Sequence, residues 1–279
     1  AISLATSGSV GLAGLGAELG VGGGGKASGD NAGLWIAGTA NFGTRTANGN
    51  RSGADFTTSG VSIGFDKRAN ELMAVGIGLG FARDRTDVGT DGSNSRAKGY
   101  SVVAYGTYQP VSSLFVDALL GVGSLDFTSK RYVSPIDAFA QADRKGRQIF
   151  GSVAAGFESR TNGVLMSPYG RVDYASNRLN QASETGAGNY GLTYFSQTTP
   201  SLQGALGFRA ESIHATEFGA AAPRLRAEYI REFQGSRDAS VAYADIADTR
   251  YGLRASGYAR NALVLGVGSD FQFRSGLTL

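Results

Sequence analysis

One histidine, His214, and a series of charged residues at alternating positions are the side chains here whose type and spacing could support chemistry. His214 ends the stretch GFRAESIH. With a loop carboxylate, a lone imidazole could act as the general base of a hydrolase. A metal centre needs several converging ligands, and one His without any Cys offers little toward one. No Gly-x-Ser-x-Gly elbow stands beside a base. The runs GLGAELG and GVGGGG lack the Lys-Ser/Thr of a phosphate loop. DVGTDGSNS, residues 87–95, lacks the closing Glu of a calcium loop. These absences lead us to expect no cofactor, no metal and no catalytic residue, with His214 a solvated residue near a turn.

The alternating charges point elsewhere. In PRLRAEYIREF, residues 223–233, Arg224, Arg226 and Glu228 alternate with Leu225, Ala227 and Tyr229. The same rhythm sets Asp117 on a face with Gly121 and Gly123, Arg171 with Asp173, and Gly207 with Arg209. It also groups Gly266, Gly268 and Asp270. Side chains two apart share one face of a strand. Asp117, Arg171, Asp173, Arg209, Arg226 and Glu228 are therefore expected to face the reverse of an apolar surface. There they would form a hydrated ring of paired charges lining a pore.

The elements that would carry these residues are strands. Period-2 alternation recurs almost end to end, in ten segments, from Leu34–Thr44 to Asn261–Phe273, with GLTL beginning an eleventh. Short turns (KRANE, QPVSS, RTNGV, EFGAAA) alternate with long polar stretches such as TRTANGNRSGAD and QGSRDASVAYADIADTR. No sustained 3.6-residue period is present. The 43 glycines lie mostly inside the alternating runs, so this is a glycine-rich β protein and not a disordered linker. The absence of Cys rules out thiolate chemistry and suits an oxidising compartment. A net charge of +3 spread along the chain, with no basic cluster among aromatics, gives no footprint for nucleic acid. No run of roughly 18 apolar residues is present to make a membrane helix, and no signal peptide is read at Ala1.

Alternation fits either a soluble sandwich or a membrane barrel. The apolar faces span about 9 to 11 residues, the length a tilted strand needs to cross hydrocarbon. The reverse faces combine Gly and Ala with isolated charges, where a soluble surface would carry Lys, Glu, Thr and Gln. An Arg turned toward the bilayer midplane costs about 2–4 kcal/mol. Arg171 and Arg226 therefore belong on the wet side. Tyr100, Tyr108, Phe115, Phe157, Tyr174, Phe208, Tyr229 and Phe233 lie near strand ends, where interfacial aromatic girdles form. The expected fold is an all-β, antiparallel up-and-down transmembrane β-barrel of about twelve strands.

In order along the chain, GYSVVAYGTY, LFVDALLGVGSLDF, SPYGRVDY, PRLRAEYIREF and NALVLGVGSDFQFRSGLTL resemble the C-terminal translocator (β) domain of autotransporters, the type V secretion system of Gram-negative bacteria. The resemblance covers about residues 32–279. It implies a barrel in the bacterial outer membrane that anchors and exports its own N-terminal passenger. It also implies the β-barrel assembly machinery, periplasmic chaperones and outer-membrane lipids as partners, and a monomer. Residues 1–31, glycine-rich and nearly uncharged, would be a linker or pore-lodged segment, and 32–279 the barrel. Family members usually carry a pore helix there and end on an aromatic strand, whereas this chain ends at Leu279. Some members cleave themselves in the linker, for which Asp30–Asn31 is the one candidate pair. The alternatives are a passive porin-like channel, an outer-membrane barrel hydrolase using His214 and a soluble β-sandwich adhesin.

Overall fold

A computed structural model of the chain describes residues 32–47, 52–234, 237–246, 249–255 and 260–274, with backbone alone at 237–238 and 253–255. The expected linker 1–31, the Asp30–Asn31 pair and the GLTL segment lie outside the described residues.

Ten long strands follow one another, and each pairs antiparallel with the next. They are β1 (Ala32–Arg45), β2 (Ala54–Asn70), β3 (Met73–Val88), β4 (Ser93–Val111) and β5 (Leu114–Val133). The series continues with β6 (Ala138–Phe157), β7 (Val164–Leu179), β8 (Gln197–Ser212), β9 (Gly219–Glu232) and β10 (Asn261–Phe273). Two three-residue segments, Ser159–Thr161 and His214–Thr216, extend the pairing beside β7 and β9. No pairing joins β1 to β10 among the described residues. The sheet nevertheless curls far enough that Ile36 of β1 and Val267 of β10 border one cavity.

Each of the ten alternating segments read in the sequence coincides with one of these strands, overhanging it by two residues at most. The strands run farther than the apolar pattern does. β5 and β6 are 20 residues each, and Gly89–Gly92 alone connects β3 to β4. The stretches TDVGTDGSNSRAK and SKRYVSPIDAFAQADRKG are thus largely strand, not loop. Backbone pairing continues there because a ladder satisfies its amides whether lipid or water surrounds it.

Side-chain direction follows the register. Leu79, Val102, Val122 and Ile149 form one row across β3–β6, all pointing outward and exposed. Val267 on β10 is 86% exposed and Leu34 on β1 is 76%. A continuous apolar outer surface of this extent needs a non-aqueous environment. Of the aromatics expected in girdles, Tyr100, Tyr108, Phe157, Tyr174, Phe208, Tyr229 and Phe233 do point outward and are exposed. Phe115 is the exception. It is buried on the inner face, because it shares the parity of Asp117 and Gly121.

Glycines on the inner face let rings lie flat against the wall. Trp35 crosses Gly64, and Tyr105 crosses Gly76. The two rings meet over β2 and β3, where Trp35 Nε1 donates to the Tyr105 hydroxyl at 2.5 Å. Phe150, fully buried, lies over Gly121 against Val103 and Ala175.

At the rim with the long connections, a second small sheet forms from Ala182–Ser183, Leu192–Tyr194, Arg237–Tyr243 and Tyr251–Ala255. Tyr194 and Val241 pack on Ala142 of the inner face of β6. The stretch QGSRDASVAYADIADTR, read as polar loop, therefore contributes the strand Arg237–Tyr243 to a cap over the inner wall.

Candidate functional site

All six charges singled out from the sequence face inward. Pairing puts Arg171 of β7 opposite Ala205 of β8, and Arg209 of β8 opposite Arg226 of β9. Two like charges directly across a ladder repel, so each needs an acid. Arg226 Nη2 meets Glu228 Oε2 at 2.7 Å, and Arg209 Nη2 meets Glu158 Oε1 at 3.5 Å. Glu228 in turn accepts from Arg171, with Nη1 at 3.0 Å and Nη2 at 3.4 Å. Arg171 Nε donates to Asp173 Oδ2 at 2.9 Å. Arg171, Asp173, Arg226 and Glu228 thus form one connected cluster of zero formal charge.

Two expected members lie outside this cluster. Asp117 accepts from Thr107 Oγ1 at 2.7 Å, and Arg209 stacks over the Phe115 ring while bonding Glu158. The charges are therefore several local pairings and not one continuous ring. The reason is spacing: β5 is two strands away from β7, beyond the reach of a carboxylate as short as Asp.

The residue that sequence reasoning missed is Tyr169. Its hydroxyl donates to Glu228 Oε1 at 2.5 Å and accepts from Arg226 Nε at 3.1 Å. Gly207 explains the reach. Tyr169, Gly207 and Glu228 lie opposite one another across β7, β8 and β9, and the Tyr169 ring crosses Gly207, which has no side chain to obstruct it. The signal was present as a glycine on the charged face, but the bond depends on a register no single strand reveals. Arg224 also went unremarked as a partner: it pairs with Asp270 of β10 and approaches Glu211 at 3.8 Å.

These groups border a cavity of about 720 Å³ lined by Tyr105, Asp117, Tyr169, Arg171, Arg209 and Arg226 among others. Bidentate and charge-assisted bonds hold the side chains against the wall and keep them from closing the space. The paired charges occupy one part of a lining that also includes Phe115 and Leu119. His214 is not part of it. It is exposed near the turn between β8 and β9, with Ser212 Oγ 2.9 Å from Nε2. Among the described residues no three His, Cys, Asp or Glu side chains gather to hold a metal ion. No described helix is long and apolar enough to cross a membrane.

The cap has its own polar centre. Glu184, buried, accepts from Arg131 Nε at 3.0 Å and Nη2 at 2.5 Å. It also accepts from the Tyr194 hydroxyl at 2.8 Å and the Leu192 amide at 2.9 Å. The Tyr194 hydroxyl is raised above the usual tyrosine range, first by burial and then by the adjacent Glu184 carboxylate.

Comparison with known proteins places this geometry. No curated protein sequence matched the chain. Among solved structures, the translocator domain of the autotransporter NalP from Neisseria meningitidis matches with a TM-score of 0.70 at 17% identity, over 87% of this chain and 78% of that one. The β domain of the Bordetella autotransporter BrkA gives 0.61 at 17% identity, over 86% and 98%. The transport unit of AIDA-I from Escherichia coli gives 0.52 at 15% identity, over 94% and 84%. At these identities the likeness establishes the barrel fold. The model of the autotransporter β-domain family matches residues 34–279. An apolar exterior, a charged interior and a family match across nearly every strand lead to one conclusion: the chain belongs to the autotransporter β-domain family, the translocator barrels of the bacterial outer membrane.

Proposed function

We propose that residues 32–279 export a passenger carried N-terminal to β1, and that residues 1–31 link the two through the lumen. The observation that carries this reading is the inward cluster of Arg171, Asp173, Tyr169, Arg226 and Glu228, held rigid along the wall of a cavity. A patch of paired charges on a largely apolar wall offers a threaded chain donors and acceptors without presenting an unpaired charge that would trap it. In this reading the barrel is a non-catalytic monomer surrounded by outer-membrane lipid. Periplasmic chaperones deliver it to the assembly machinery, which inserts it. Neither a porin-like nor a hydrolytic reading has an observation in its favour. A soluble domain is opposed by the exposed apolar exterior.

The direct test is to place a reporter domain before residue 1 and express the fusion in a Gram-negative host. Reporter exposed to protease on intact cells is the expected result; reporter retained in the periplasm beside a folded barrel overturns it. The lumen charges are tested by planar-bilayer conductance of Arg226→Ala. Removing this cation leaves Glu228 with one fewer partner and should shift selectivity toward cations. Unchanged conductance and selectivity would leave the cluster with a stabilising role alone.

A further inference from the structure

The outer surface of β3–β7 changes character abruptly toward the long-connection rim. The row Leu79, Val102, Val122, Ile149 is apolar. The next row begins with the aromatics Phe81 and Tyr100, passes through Ser124 and ends with Arg147 and Arg178. One row farther out come Arg83, Lys98, Asp126 and Lys145, then Arg85, Arg96, Thr128 and Asp143. All seven cations in these rows are exposed.

Three register pairs set like charges directly across a ladder: Arg83 with Lys98, Arg85 with Arg96, and Arg147 with Arg178. Such pairs repel unless an anion lies between them. Within the described residues the compensation is partial. Arg85 pairs with Asp87 at 3.0 Å, and Arg83 stacks over Phe81. No ion pair within the described residues engages Arg96, Lys98, Lys145, Arg147 or Arg178, while Asp126 and Asp143 are the acids on the same rows. Neighbouring strands lie about 4.8 Å apart, so five of them form an arc about 20 Å wide. This arc adjoins the exposed Tyr100 and its neighbour Phe81 on the same outer surface, and because barrel strands tilt, the charges begin one row earlier at β6 and β7. It lies on the side of the long connections, which face the cell exterior in outer-membrane barrels.

We infer that the outward face of β3–β7 from the row of Phe81, Tyr100, Arg147 and Arg178 outward to Arg85 and Arg96 is a docking belt for phosphorylated lipid headgroups of the outward-facing leaflet. Phosphate oxygens would bridge the like-charged cross-strand pairs, each guanidinium offering a two-pronged donor. The inference rests on the outer-membrane placement of the barrel, and its test separates the two.

The full chain would be reconstituted in zwitterionic bilayers containing lipid A, which carries two phosphates, or its dephosphorylated form. Lipid retained after gentle extraction would be measured by native mass spectrometry. The variant Lys98→Gln/Lys145→Gln/Arg147→Gln removes belt charges at exposed positions. A control, Lys67→Gln/Arg68→Gln/Arg160→Gln, removes as many exposed charges near the short turns. Wild type and control should retain phosphorylated lipid A about tenfold better than the belt variant, and all three should retain the dephosphorylated lipid equally poorly. Excess inorganic phosphate should displace little of the bound lipid. Equal retention by belt variant and wild type overturns the belt. So does equal loss in both variants, which would indicate bulk charge, or displacement by inorganic phosphate, which would indicate a simple anion site. A wild-type chain that never enters the bilayers would overturn the placement itself.

Discussion

His214 was the one conspicuous chemical residue in the sequence, yet it lies exposed at a turn, while Tyr169, an ordinary strand aromatic by sequence, sits at the centre of the inward-facing charge cluster. A hydroxyl between a carboxylate and a guanidinium both donates and accepts, which none of the charged members of that cluster does. In the cap, Glu184 and Tyr194 make a second polar centre that the sequence did not announce. Its pH dependence follows from burial. Because the Tyr194 hydroxyl is raised in the folded cap, the folded state keeps its proton where the unfolded chain would lose it. That contribution is complete below the ordinary tyrosine value near 10 and is lost as pH rises beyond it. Limited proteolysis of the 180–196 segment with an alkali-tolerant protease should therefore accelerate above about pH 10. Tyr194→Phe should flatten that rise; an identical profile in the variant would assign the loosening to other groups.

At the level of the strand, glycine on the inner face is a device for placing aromatic rings. Gly207 separates Tyr169 from Glu228 in one register row, and Gly268 of β10 faces the same interior with nothing near it. The two predict opposite outcomes for one substitution. In Gly207→Ala the new methyl meets the outer end of the Tyr169 ring, which must swing away and surrender its bond to the carboxylate. A hydrogen bond to a charged group is worth about 1.5–3 kcal/mol, so unfolding in detergent should shift by that order. Gly268→Ala should leave the midpoint within about 0.5 kcal/mol. Equal effects at both positions would show that strand propensity, and not ring placement, sets the cost. Prolines obey the same local economy of amides. Pro168 lies where the pairing of β6 with β7 has ended at Tyr169 and the Ser159–Thr161 segment has not yet begun, while Pro223 lies just past the last β8–β9 pair.

For the whole molecule, orientation is the property on which everything else depends. Within the apolar band, Leu79, Val102, Val122 and Ile149 point away from the axis while Arg171, Asp173, Arg226 and Glu228 point toward it, the reverse of a soluble domain. Leu79→Arg, in the middle of the outward apolar band, should cost about 2–4 kcal/mol of insertion. The measurement is the heat-modifiable folded fraction in lipid vesicles, and undiminished folding would show that this face does not meet hydrocarbon. Much of this was legible beforehand. A period of two in ten segments, with small and charged residues on one parity, determines strands, faces and the inward direction of Asp117, Arg171, Asp173, Arg209, Arg226 and Glu228, because alternation is a local consequence of the pleat. Which of those charges touch was not legible. Contacts between strands depend on register and curl, which bring Glu228 to Arg171 across two ladders and leave Asp117 with Thr107 instead. The cap over the β6 wall was hidden for the same reason: its strands are short and distant in sequence, and only packing on Ala142 and the burial of Glu184 make them a sheet.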